Sequence, residues 1–120
     1  LADALRAFAI RALRNRRLAN ALIVEPAEPV VDEARLQYRR ALGRVLAGIL
    51  ADGVESGEFP RQDVDASAAC LVGALLEGLV GPLAPSGLTD RDGPPLVDAI
   101  VGFCLRAVSA SGPAHHGSAS

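Results

Sequence analysis

The sequence predicts an all-α fold, and three observations carry the prediction. Half of the 120 residues are hydrophobic while only 3% are aromatic. The apolar mass is therefore Leu, Val and Ala, and with Arg as the only basic residue the composition leans toward the top of the helix-propensity scale. Apolar residues recur at helical spacing in successive segments, which Pro and Gly clusters separate. No stretch alternates apolar and polar residues as a half-buried strand would. The length fits about one domain. We read 1–110 as the folded domain and 111–120, small and polar, as a disordered tail.

Five helices are expected. Leu5, Phe8, Ala9, Ala12 and Leu13 set the first, from Asp3 to about Leu13, with Asp3 as its cap and Asn15 as a break. A shorter second helix runs from about Arg16 to Val24, ended by Pro26 and Pro29. The third spans about Val30 to Ser56. Asp32 and Glu33 meet its positive end, Gly57 terminates it in the left-handed region, and Pro60 follows. Its expected inner stripe is Tyr38, Leu42, Val45 and Ile49, widened by Leu46 and Leu50. Asp63 or Asp65 opens the fourth, which ends near Gly81 and Pro82. A polar connection rich in Gly and Pro leads to the fifth, about Pro95 to Ser109.

The fourth helix stands apart. Between Ala68 and Ala84 its only charged side chain is Glu77, so it needs cover on most sides. Its length approaches a bilayer span. However, Ser67, Glu77 and Gly73, Gly78 and Gly81 interrupt it, and no basic residue flanks it closely. No membrane partner is expected. Ala69 with Gly73, and Ala74 with Gly78, are each four apart and let another backbone approach. The fifth helix, also apolar on more than one side, is the natural neighbour. Two helices this apolar point to a homodimer in which one patch meets itself about a two-fold axis.

Net charge is -2, yet Arg6, Arg11, Arg14, Arg16 and Arg17 crowd the first seventeen residues. We read them as a solvated helix face. Two cysteines, Cys70 and Cys104, do not make a secreted disulfide framework and are expected as buried, inert thiols in a reduced, cytoplasmic protein. No enzyme is expected. The histidines, His115 and His116, both lie in the tail, and no zinc spacing, phosphate-cradling Gly loop or ordered imidazole base is present. Neither a metal nor a cofactor is expected. Glu77, an acid in an apolar helix, is expected to pair with an Arg, reach an interface edge or anchor a ligand.

Residues 17–26 (RLANALIVEP), 35–42 (RLQYRRAL), 53–59 (GVESGEF) and 68–83 (AACLVGALLEGLVGPL) resemble, in that order, segments of the tetracycline-repressor (TetR) family of transcriptional regulators. The resemblance covers about Arg6 to Val108. It implies a five-helix regulatory domain whose last two helices pair with a second copy as an intermolecular four-helix bundle. It also implies a ligand cavity among the earlier helices and a DNA-binding helix-turn-helix domain upstream of Leu1. The chain contains no Met, in keeping with a missing N-terminal part.

By that resemblance and the stripe, Phe8, Ala12, Leu18, Leu22, Tyr38, Leu42, Val45 and Cys70 would line the cavity, with Asn20, Glu25 and Glu77 as polar candidates. For each apolar one, plain core packing is the favoured role over ligand contact. Ala69, Gly73, Leu76, Val80, Leu96, Ile100 and Phe103 would form the dimer face. The expected function is that of the ligand-sensing and dimerisation domain of a repressor that a small, mostly apolar effector releases from its operator. Operator DNA would be touched only by the missing domain. The alternative is a helical protein–protein interaction module with no small-molecule site.

Overall fold

The computed structural model describes residues 1–17, 19, 29–83 and 93–110, excluding the side chains of 29–31 and 81–83. Among the described residues run four helices and no strand: α1 (Ala2–Arg14), α2 (Pro29–Glu55), α3 (Val64–Leu83) and α4 (Pro94–Ser109). The expected second helix falls mostly outside the described residues, as do the 84–92 connection and the tail. Arg16, Arg17 and Ala19 are helical, and the Ala19 N–H donates to the Asn15 carbonyl at 3.0 Å.

Helix α1 breaks at Asn15 as expected, where the backbone turns to φ -109 and ψ 54. Asp3 is not its cap. Leu1 takes the flanking position, and Asp3 lies inside the first turn, where its charge still suits the positive helix end. Leu5, Ala9 and Ala12, spaced i, i+4 and i+7, are buried and form one inward stripe.

Helix α2 starts at Pro29, which suits a first helical position because its missing N–H would be unsatisfied there anyway. It ends where Gly57 takes φ +83. The Gly57 N–H then donates to the Val54 carbonyl at 3.2 Å and the Phe59 N–H to the Gly53 carbonyl at 3.0 Å. That turn folds the Phe59 ring over Gly53, where an added Cβ would stand 2.3 Å from the ring. The inner stripe is rotated from the expected one. Leu46 and Leu50 are buried, Leu42 and Ile49 only partly so, Val45 is 58% exposed, and Tyr38, at 36%, stays partly covered. Two adjacent apolar rows run along α2, and the Leu46–Leu50 row is the fully buried one.

Helix α3 is the hub, packing against α2, α4 and α1. Asp63 caps it, accepting from the Ala66 N–H at 3.0 Å. Ala68, Leu71, Val72, Leu75, Leu76 and Leu79 are buried, covering more than one side of the helix. Each fully buried Leu stabilises the fold by roughly 1.5–3 kcal/mol relative to exposure.

Helix α4 adds Val97, Ile100, Val101, Cys104 and Val108 to the same core. It meets α3 where Gly78 gives way to Ile100, whose side chain lies 3.1 Å from where a Gly78 Cβ would be. The Gln62 side-chain amide donates to the Val108 carbonyl at 2.8 Å and the Pro60 carbonyl at 3.0 Å, tying the α2–α3 turn to the end of α4. An exposed Arg6–Asp98 ion pair joins α1 to α4, a contact of modest worth in solvent. Among the described residues, no helix is long and apolar enough to cross a membrane.

Candidate functional site: the outward α3–α4 face and two flanking surfaces

Every fourth residue or so along the outer side of α3 and α4 is small or apolar, and together they floor an open trough. One stretch, about 450 Å³, is lined by residues including Ser67, Cys70, Ala74, Phe103 and Ala107. The next, about 410 Å³, is lined by Ala74, Glu77, Gly78, Ala99, Ile100 and Phe103. Ala74 and Phe103 belong to both, so the trough is continuous. Phe103 is 56% exposed, and Glu77 is the one charged lining residue.

The expected dimer residues do not share one surface: Phe103 lines this trough, whereas Ala69 and Gly73 lie on the α2-facing side of α3. Phe103, Ala69 and Gly73 are exposed, and Val80 and Leu96 are half-buried. Leu76 is a correction, because it is buried in the chain's own core, while Ile100 is largely buried and reaches the trough as part of its lining. The spacing argument chose a row on α3 about a quarter-turn from the outward one. It could not know where α4 crosses. The Ala74–Gly78 pair serves that crossing, whereas a Cβ on Gly73 would meet nothing within 4 Å. Cys70 is corrected too, from buried to exposed, while Cys104 is buried as expected. Burial pushes the Cys104 thiol above its usual range.

The second surface joins α1 to α2. The Phe8 and Tyr38 rings sit 6.1 Å apart between centroids, tilted by 38°, a favourable aromatic geometry. Burial raises the Tyr38 phenol above its usual range, and the Arg11 charge partly offsets that. Of the other expected cavity residues, Ala12 is buried in the core and Leu42 is half-buried. Val45, Cys70 and Glu77 are corrections. Val45 is 58% exposed, and Cys70 and Glu77 lie in the outward trough. Leu18, Asn20, Leu22 and Glu25 lie outside the described residues.

The third surface is a groove of about 450 Å³ between α2 and α3. Arg39, Arg40 and Arg44 rim it with Asp65, over a floor of Gly43, Ala47, Ala68, Ala69, Val72 and Gly73. Sequence reasoning gave these arginines no role beyond the circumference of α2 outside its apolar stripe, and missed the groove. Their proximity to α3 depends on helix packing and leaves no local signal. The small residues of the outward trough were findable, since Ala66, Cys70 and Ala74, like Ala99, Phe103 and Ala107, follow a strict four-residue spacing. Among the described residues, no group of three or more His, Cys, Asp or Glu could hold a metal.

The family of tetracyclin repressor-like C-terminal domains matches residues 21–84, more than half of the chain. No curated protein and no solved structure matches it.

Proposed function

The chain belongs to the tetracyclin repressor-like C-terminal domains, and from that premise we propose that it is the ligand-sensing and dimerisation domain of a DNA-binding transcriptional repressor. One observation carries the reading: α3 and α4 leave a continuous apolar trough open, with Phe103 at its centre. A two-fold axis over the trough would join α3 and α4 to their copies as a four-helix bundle, burying Phe103 in each protomer. Burying one such ring is worth roughly 1.5–3 kcal/mol. Glu77 would then lie toward a polar rim.

A small, mostly apolar effector would enter beside Phe8 and Tyr38, where α1 meets α2. By binding one relative orientation of the protomers better than another, it would shift the population. Helix-turn-helix domains outside these residues would then lose the spacing that the operator half-sites require.

Light scattering on the eluting protein tests the assembly. The native chain should run at twice 12.4 kDa, and Phe103→Glu should run at that mass once, with unchanged helical circular dichroism. A native chain that stays monomeric at micromolar concentration removes the dimer.

A dimerisation module without a small-molecule site is the competing reading. The exposure of Val45, Cys70 and Glu77 favours it, since it takes three lining residues from the expected cavity. A thermal-shift panel of apolar ligands separates the two. Stabilisation that Tyr38→Ala abolishes supports the sensor, and no stabilisation by any ligand supports the module.

A further inference from the structure

The groove between α2 and α3 brings three guanidinium groups and a single carboxylate, Asp65, to the edge of an apolar floor. Among the described residues, the ion pairs run Arg6–Asp98 and Arg35–Asp32, and Arg39, Arg40 and Arg44 join neither. Arg40 and Arg44 are four apart on one helix, an arrangement that repels unless an anion intervenes. Beneath them Ala68 and Val72 are 2% and 6% exposed. A Cβ on Gly73 would meet nothing within 4 Å, and one on Gly43 only a Val72 methyl at 3.9 Å, so the floor is open to an occupant. Its volume lies within the range of small-molecule sites, about 300–1,000 Å³.

We propose that this groove binds a small amphipathic organic anion. Its carboxylate or phosphate head would lie across Arg40 and Arg44, and its aliphatic or aromatic body on Ala68, Val72 and Gly73. Guanidinium forks match the geometry of oxyanions and strengthen beside apolar surface. The site is separate from both surfaces invoked above. It shares no lining residue with the outward trough, and Arg40, Gly43 and Ala47 lie roughly opposite Tyr38 around α2. It therefore does not rest on the effector or dimer readings.

Titration calorimetry of the full chain with octanoate, below its micelle threshold, tests the site. Octanoate should saturate a single site per chain, and octyltrimethylammonium, with the same body and the opposite charge, should not bind. The double variant Arg40→Gln/Arg44→Gln should raise the octanoate Kd roughly tenfold or more. Gly73→Leu, which fills the floor and leaves every charge in place, should do the same. Both variants should keep native circular dichroism, and Tyr38→Ala and Phe103→Glu should leave octanoate binding unchanged.

Three results would overturn the proposal. One is no saturable octanoate binding. Another is binding that ignores the head group or survives the arginine changes. The last is an arginine variant that turns dimers into monomers while octanoate never binds, which would make a second copy the occupant.

Discussion

Gly48 and Gly53 lie five residues apart in α2 and carry opposite consequences. In a helix interior Ala is favoured over Gly by about 1 kcal/mol when the site has room. A Cβ at Gly48 meets nothing within 4 Å, whereas one at Gly53 would stand 2.3 Å from the buried Phe59 ring. Gly48→Ala should therefore stabilise the chain by about 0.5–1 kcal/mol, and Gly53→Ala should destabilise it by about 1–3 kcal/mol. Urea unfolding of the two variants checks the signs, and two shifts in the same direction would refute the contact. Tyr38 offers a second residue-scale test, because it is the chain's one Tyr and no Trp obscures it. Burial favours the neutral phenol, so the folded pKa lies above the unfolded value of about 10. The associated stability is complete below that pH and is lost as pH rises through the folded pKa. Phenolate absorbance should titrate at higher pH in the folded chain than in denaturant, and coincident curves would deny the burial.

At the scale of elements, punctuation was legible and facing was not. Pro29, Gly57, Asp63 and Pro94 bound their helices within a residue or so of the expected positions because each acts locally. Pro removes a donor, Gly accepts a positive φ, and Asp63 accepts the Ala66 N–H. Which side of a helix turns inward is set by its neighbours. On α2 the rows through Val45 and through Leu46 are both apolar, and only the second is fully buried. On α3, apolar on most sides, the small-residue pairs Ala69–Gly73 and Ala74–Gly78 look alike in sequence. The structure gives Gly78 the approach of Ile100 and leaves Gly73 open. The arginine-rimmed groove follows the same logic. Each arginine is an ordinary solvated residue until α3 lies alongside, and then the row at Arg39, Arg40 and Arg44 borders an apolar floor. The outward trough is the exception, because its four-residue spacing is written in α3 and α4 themselves.

At the scale of the whole molecule, Phe103 and Ile100 separate self-association from internal packing. Both residues were expected where two copies meet, and they lie three apart on α4. Yet Phe103 is 56% exposed and Ile100 is 8% exposed against Gly78. A protein that folds and dimerises together is stabilised by mass action, so its Tm rises with concentration. Under the proposed assembly the native chain should show that rise. Phe103→Glu places a charge in the bundle and should make Tm independent of concentration while leaving the monomer folded. Ile100→Val removes one buried methylene at a cost of about 0.5–1.5 kcal/mol. It should lower Tm equally at every concentration and keep the slope, since the lost contact is within one chain. Calorimetric scans over a hundredfold dilution distinguish these patterns. A flat native Tm would deny the assembly. A flat Tm for Ile100→Val with a steep one for Phe103→Glu would mean that the copies meet on the side of α4 that the fold has turned inward.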